Sequence, residues 1–157
     1  MYIRVNVPEA RPIRPSVSFF DNRIVKKEEK NRAKEMAQSC FDSIKEMMER
    51  YQNTDSNNTE LIDKIRQEVE ETAYSVQVRS DWHTPGDEDF SKPTEYQLEL
   101  AGGGPAVRII GDLGSYGDPE TAKIEYQDWF TEWQELRLDS EDEDILVDFA
   151  KCYYFGN

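Results

Sequence analysis

Carboxylates are the residues of this chain whose types and spacing most suggest chemistry. The 157 residues include 33 Asp and Glu, 19 Lys and Arg, one histidine and two cysteines. Nucleophilic catalysis needs a serine or cysteine beside a histidine. The one histidine, His83, lies in a loop pattern far along the chain from Cys40 and Cys152. Paired carboxylates can transfer protons, but among 33 acids such pairs arise without any catalytic purpose. We therefore expect that the protein is not an enzyme, and a small enzyme of unknown chemistry ranks third among the functions considered.

Metal and cofactor sites are also not expected. The cysteines are widely separated and there is no closely spaced Cys/His set, so neither a metal site nor a disulfide framework is indicated. A phosphate-binding loop needs a helix N-terminus directly after its glycines. Here Gly102–Gly104 is followed by Pro105 and a strand pattern. The sequence therefore predicts no cofactor.

The charge is distributed unevenly along the chain. Residues 1–50 carry 11 basic and 8 acidic side chains, whereas residues 51–157 carry 8 basic and 25 acidic ones, and the whole chain has a net charge of −14. A chain this acidic is repelled by nucleic-acid phosphates and by anionic membranes, and it is attracted to basic surfaces. We expect no direct contact with nucleic acid or membrane. The partner expected from charge is a basic protein surface, and the alternative is that the acidity serves only solubility.

The acids recur in three groups, at residues 68–71, 87–89 and 139–144. The last group places five carboxylates in six residues at the start of a helical pattern, where Ser140 and Glu143 match a capping box. Acids in a first helical turn are favoured by the helix dipole, but this number exceeds what capping requires. Side chains spaced in this way can imitate a row of phosphates. The acidic candidates for partner binding are Asp87, Glu88, Asp89, Asp139, Glu141, Asp142, Glu143 and Asp144.

The elements that must hold these acids follow from hydrophobic periodicity. Residues 24–51 and 60–72 carry apolar side chains at three- and four-residue steps, and residues 140–153 do so again, which predicts three helices. Residues 96–126 alternate in three short runs joined by two Gly-rich turns, which predicts an antiparallel meander. Tyr74, Val76 and Val78 alternate as a further strand, as do residues 1–7. The fold class predicted is α+β, with an antiparallel sheet (a three-strand meander plus one or two further strands) packed with two N-terminal helices and one C-terminal helix.

The length suits one domain spanning residues 1–157. Within it, residues 1–72 are expected to hold an N-terminal strand or arm and two helices, and residues 73–157 the meander and the C-terminal helix. Neither a signal peptide nor a long apolar run is apparent, and the cysteine content fits a reducing compartment. The expected localisation is the cytoplasm of a host cell.

Two further features suggest contacts with partners. Trp129 and Trp133 either close the core edge, as is usual, or form a contact patch, since tryptophan is enriched in binding hot spots. The long methionine-bearing helix at residues 24–51 leaves a homodimer open.

The C-terminal half resembles a family of small proteins of phages and prophages. The resemblance is carried by GGGPAVRIIGDL, AKIEYQDWFTEW and DFAKCYYFGN, and it covers about Tyr74 to Gly156. That family carries a similar Gly-Gly-Pro-Ala-Val-Arg-Ile run and a Tyr-Gln-Asp-Trp run. After Asp-Trp this chain has Phe-Thr-Glu-Trp, where the family pattern has Gly-Thr-Pro-Trp. The family has no agreed activity, so the resemblance assigns no residue roles.

Small acidic phage proteins without enzyme motifs resemble inhibitors of host defence, including anti-CRISPR proteins. The function expected is an acidic, phage-encoded inhibitor that binds a Cas protein or another nucleic-acid-binding defence protein, through mimicry of DNA. The alternative is a protein-interaction module of phage or host whose acidity serves solubility.

Overall fold

The computed structural model describes residues 21–82, 84–86, 92–129 and 131–156, with side chains from Arg32 onwards. The predicted strand at residues 1–7 therefore lies outside the described residues. The elements are helices α1 (Asp21–Asn53) and α2 (Thr59–Thr72), strands β1 (Ser75–Arg79), β2 (Glu95–Ala101), β3 (Ala106–Asp112), β4 (Lys123–Gln127) and β5 (Gln134–Glu135), and helix α3 (Ser140–Ala150). This arrangement confirms the predicted α+β class.

The first two helices are separated by a turn that the sequence specifies locally. The Asp55 carboxylate accepts a hydrogen bond from the Asn57 N–H at 2.9 Å, which stabilises a tight turn. Asn58 then caps α2, because its side chain accepts from the Leu61 N–H at 3.3 Å and satisfies a donor that has no partner within the helix.

Helix α3 differs from its prediction at both ends. Its N-cap is Asp139, whose carboxylate accepts from the Asp142 N–H at 2.9 Å, and the predicted Ser140–Glu143 capping box is wrong. The helix ends at Ala150, whereas the apolar spacing predicts that it continues to residue 153. Cys152 is consequently exposed, although the extended helix would have buried it. The chain beyond the helix still returns to the core through Phe155, which packs on Tyr96 with ring centroids 4.7 Å apart.

The five strands form one antiparallel sheet in the order β1-β2-β3-β4-β5. The register pairs Leu98 with Ile109, and Ile109 with Ile124. All three side chains are completely buried. Because residues opposite each other share a face of the sheet, this register builds a continuous apolar face. The opposite face carries polar side chains such as Glu99 and Arg108.

The helices pack on the apolar face of the sheet. Phe41 and Ile44 of α1, Ile65 of α2 and Phe149 of α3 are almost completely buried there, and they belong to the same core cluster as the inward-facing strand residues. Fully burying a side chain of this size stabilises the fold by about 1.5–3 kcal/mol. None of the described residues that are buried is polar or charged.

The core thins towards β1. Val76 and Val78 lie opposite Leu98 and Tyr96 and therefore point to the helix side of the sheet, as their alternation predicts. Nevertheless Val76 is 42% and Val78 is 48% exposed, because the helices cover mainly β3 and β4.

The close approach of two strand ends at Gly111 allows a direct test of the packing. A Cβ atom at Gly111 would lie 1.9 Å from the backbone oxygen of Thr121, which cannot move without breaking the sheet edge. Gly111→Ala should lower the free energy of unfolding by about 1–3 kcal/mol, the usual cost of overpacking. At Gly114 the nearest atom belongs instead to the flexible Glu120 side chain, so Gly114→Ala is the matched control. Urea unfolding of both variants measures the difference, and equal losses would contradict this account.

Candidate protein-binding surfaces

The N-terminus of α3 displays a rigid group of acids. The cap formed by Asp139 fixes the first turn, and Asp142 is held to α1 by the ammonium group of Lys45 at 2.6 Å. Glu141, Glu143 and Asp144 point to solvent, and no ion pair to them is found among the described residues. We call Asp139, Glu141, Asp142, Glu143 and Asp144 the α3 acidic surface.

Acids from α1 extend this surface across the helix–helix contact. Lys45 contacts Asp142, and it also interacts electrostatically with Glu49 and Asp139. The hydrogen bond to Asp142 is the main cause that raises the pKa of Lys45 above its ordinary value, and the two other carboxylates add to it. Lys45 therefore neutralises one of several converging acids and ties α3 to α1.

The second acidic group, at residues 68–71, is largely engaged within the chain. The Glu68 carboxylate accepts from the Arg50 guanidinium at 2.5 Å, and Glu71 accepts from Gln67 at 2.8 Å. Arg50 lies five residues after Lys45 on α1, which corresponds to about 7.5 Å along the helix. The two acidic groups thus flank the same length of α1. The third group, Asp87, Glu88 and Asp89, and His83 lie outside the described residues.

A second distinctive surface lies on the polar face of the sheet. The Arg108 guanidinium donates two hydrogen bonds to Glu125, at 2.9 and 2.8 Å, and one to Gln97 at 2.8 Å. The Trp133 ring stacks on the same guanidinium, with the Arg108 carbon 4.0 Å from the ring centroid. Although none of the helices that the structure describes packs on this face, the side chains of Arg108 and Glu125 are only 22% and 16% exposed. The stacked ring and the charge-assisted bonds hold Arg108 in place.

The tryptophans do not close the core. Trp133 covers Arg108 on the face opposite the helices, and Trp129, which is 62% exposed, lies against Gly104 in the β2–β3 turn. A Cβ atom at Gly104 would meet the Trp129 ring at 1.9 Å, so only glycine permits this approach. Their role in a contact patch stays a prediction. The structure puts Trp133 on the other side of the sheet from the α3 acidic surface, so the described partner-binding candidates do not all belong to one site.

A shallow depression of about 390 Å³ adjoins Arg108 on the polar face. Its cations are already engaged, because Arg79 is paired with Glu95, Arg108 with Glu125 and Lys123 with Glu135. Asp112 accepts from the Thr121 hydroxyl at 2.9 Å. The charged groups around this depression are therefore paired within the chain, and they do not indicate a binding site for an ion.

Reactive and metal-binding groups are sparse in the described part of the chain. No group of three or more His, Cys, Asp or Glu side chains within it is arranged to hold a metal ion. Burial raises the pKa of the Cys40 thiol. Cys152 is exposed at the surface, but partial desolvation by the surrounding chain, together with the Asp148 carboxylate, raises the pKa of its thiol, so neither thiol is activated as a nucleophile. None of the helices described here combines the length and apolar character needed to cross a membrane.

The basic residues that organise these surfaces could not be found from the sequence. Lys45 and Asp142 are separated by 97 residues, and Arg108 meets Glu125 and Trp133 only because the strands pair in one register. The cross-strand position of Arg108 and Glu125 is the single pattern that could have indicated such a pair. Comparison with protein-family models, curated proteins and solved structures finds no match to this chain.

The Arg108 network gives a testable stability contribution. Arg108→Met removes three hydrogen bonds and leaves the Glu125 carboxylate mostly buried without its cation, so the free energy of unfolding should fall by about 2 kcal/mol. Arg108→Met combined with Glu125→Leu should recover much of this loss, because no uncompensated charge remains. Chemical denaturation measures both, and a shift of Trp133 fluorescence reports the lost stacking. A double variant no more stable than the single one would contradict the pairing.

The Arg50–Glu68 pair predicts a defined pH response. The hydrogen bond from Arg50 is the main cause that lowers the pKa of Glu68 below its ordinary value of 4.5. A lowered carboxylate pKa stabilises the fold above the pKa of the unfolded chain, and this stabilisation is lost as the pH falls through the folded pKa. NMR titration of the Glu68 carboxyl carbon should give a value that rises towards 4.5 in Arg50→Met and stays low in Arg50→Lys. An unchanged titration in Arg50→Met would show that the pair does not persist in solution.

Proposed function

We propose that this protein is an acidic inhibitor that binds a basic, nucleic-acid-binding surface of a host defence complex. The observation that carries the proposal is the α3 acidic surface. Its exposed members Glu141, Glu143 and Asp144 have no counter-ion among the described residues, and the cap and the Lys45–Asp142 pair hold them on a rigid helix. Rigid positioning favours this role because less conformational entropy is lost when such a surface is bound.

The linear charge density of this surface is comparable to that of DNA. The five acids span residues 139–144, a rise of about 7.5 Å in a helix. With Asp142 neutralised by Lys45, four charges remain, or about one per 1.9 Å. Duplex DNA carries about one charge per 1.7 Å of its axis. A groove lined with Lys and Arg to accept phosphates is therefore matched in charge density by the start of α3.

The net charge of −14 supports the same proposal at longer range. A field of this size steers an acidic protein towards a basic target and raises the association rate. The choice of a host defence complex, such as a Cas protein, rests on the resemblance of residues 74–156 to phage proteins. The charge arrangement by itself supports a basic protein partner.

A second candidate function is an interaction module in which the acids maintain solubility. It is favoured by the observation that Glu68 and Asp142 serve intrachain ion pairs, so part of each acidic group has a structural role. In that case the stacked Trp133–Arg108 surface and the exposed Trp129 would provide the contact.

A displacement assay distinguishes the two functions. Fluorescence anisotropy follows labelled duplex DNA bound to purified Cas effectors and restriction endonucleases while this protein is added. The proposal predicts displacement that weakens steeply between about 50 and 200 mM salt, as expected when several ion pairs form. The variant Glu141→Gln/Glu143→Gln/Asp144→Asn should weaken displacement at least tenfold.

The control variant makes the same change in net charge elsewhere. Glu35→Gln/Glu70→Gln/Glu132→Gln removes three exposed acids outside the α3 acidic surface. It should reduce displacement much less. Equal effects of the two triple variants would favour a general role of the net charge, and loss of displacement with Trp129→Ala alone would favour the second candidate function.

A further inference from the structure

The outer edge of β1 carries backbone groups that no other described strand pairs with. β1 is an edge strand of the sheet, and among the described residues nothing pairs with its outer side. Natural edge strands are usually blunted by proline, lysine or a bulge. The sequence SVQVR has none of these, and its single charge, Arg79, is paired with Glu95. Val76 and Val78, at 42% and 48% exposure, add apolar surface at the same place.

The hydrogen bonds show which backbone groups point outwards. The Arg79 carbonyl accepts from the Thr94 N–H at 2.9 Å, and the Glu99 carbonyl accepts from the Tyr74 N–H at 3.0 Å. The Thr94 carbonyl accepts from the Leu113 N–H at 2.8 Å and so faces β3, which leaves the odd-numbered residues of β2 to face β1. The odd-numbered residues of β1 and β2 therefore direct their backbone groups towards each other. By the alternation of an antiparallel ladder, the N–H and C=O groups of Val76 and Val78 point away from β2 to the free edge.

We propose that β1 pairs with β1 of a second copy of this chain around a two-fold axis at Gln77. This register pairs the whole strand with itself. Val76 lies opposite Val78 of the second copy, and the two exchange both of their outward hydrogen bonds. The two-fold axis also places Val78 opposite Val76 of the second copy, so two such hydrogen-bonded pairs form. The two five-stranded sheets then join into one sheet of ten strands.

The side chains are compatible with this register on both faces. On the helix side, two Val76–Val78 pairs bury apolar surface that is now exposed, and β-branched pairs in this position stabilise a sheet. On the polar face, Gln77 meets Gln77, and Arg79 lies over Ser75 of the second copy. Arg79 keeps its own partner Glu95 in this register, and the Ser75 opposite it is uncharged. No like charges within β1 oppose each other.

The net charge sets the salt dependence of this pairing. Two copies at −14 each repel at long range, and salt screens that repulsion. Self-association should therefore strengthen as salt rises, whereas binding of a basic partner weakens. Self-association and binding of a basic partner can thus be distinguished in one salt titration. If one of the two interactions is not observed, the proposal of the other is unaffected.

Sedimentation equilibrium of the full chain at 50 and 500 mM salt tests the proposal. The mass should rise from near 18.4 kDa towards twice that value as salt and concentration increase. Val76→Pro removes an N–H that β2 does not use, so it should abolish the dimer while unfolding cooperatively like the wild type. Val76→Thr keeps the shape and the N–H and should retain the dimer. Val78→Lys provides a second disrupting variant, since it places an amine at the paired edge.

A cross-linking experiment tests the register itself. Gln77 residues face each other in a non-hydrogen-bonded pair, with Cα atoms about 4.5 Å apart, so Gln77→Cys should form an intermolecular disulfide on mild oxidation. Ser75→Cys is the control, because two copies of residue 75 lie about 13 Å apart along the strands. The wild type, treated identically, reports any cross-linking by Cys40 and Cys152.

Three outcomes would overturn the proposal. They are a wild-type monomer at every salt concentration, a dimer unaffected by both Val76→Pro and Val78→Lys, and equal cross-linking at residues 75 and 77. If the monomer protects the Val76 and Val78 amides from hydrogen exchange, another segment of the same chain occupies the edge instead.

Discussion

The burial of one sheet face under α1 is the interaction on which the rest of this structure depends. Phe41 and Ile44 contribute to the same fully buried cluster as Ile109 and Ile124, the inward residues of the two strands that α1 contacts. With only 37% apolar residues, the chain can form a core of limited extent, and it concentrates that core beneath β3 and β4. The elements farther away, β1 above all, are attached by backbone pairing with less apolar cover.

This one-sided burial determines where charge is placed. Acids on the helices must face away from the core, so α3 directs Leu146 and Phe149 inwards and its N-terminal carboxylates outwards. None of the described helices covers the polar face of the sheet, and charge is accommodated there in another way. There Trp133 and Glu125 enclose Arg108, so that a charged side chain is largely removed from water without losing its partners. The two surfaces are chemically distinct for this physical reason.

The sequence was sufficient for features that depend on local periodicity. The three helices, the meander and the polar face of the sheet follow from alternation and from three- and four-residue spacing. Helix α2 begins at Thr59, directly after the capping side chain of Asn58. The predicted end of α3 was wrong because apolar side chains can continue at helical spacing after the backbone has left the helix. The predicted N-cap of α3 was wrong because Asp139 and Ser140 are both favourable capping residues, and the backbone conformation determines which of them caps the helix.

The candidate site could be predicted only in part. Exposure of Glu141, Glu143 and Asp144 follows from their position on a capped, amphipathic helix. The ion pairs of Asp142 with Lys45 and of Glu68 with Arg50 depend on how the helices cross, which no local sequence pattern encodes. The expectation for Asp87, Glu88 and Asp89 stays a prediction, as do the domain division and the phage resemblance.

The distribution of ion pairs links stability to the proposed binding. Intrachain ion pairs engage cations on the helices and on the sheet, among them Lys45, Arg50, Arg66, Arg79, Arg108, Lys123 and Lys151. These pairs hold elements together, but none found among the described residues reaches Glu141, Glu143 or Asp144 of the α3 acidic surface. A basic partner would supply counter-charges to these acids. Because such a partner binds the folded chain and its ordered acids, binding also stabilises the fold by mass action. Under the proposed function, the same acids therefore link partner binding to the stability of the fold.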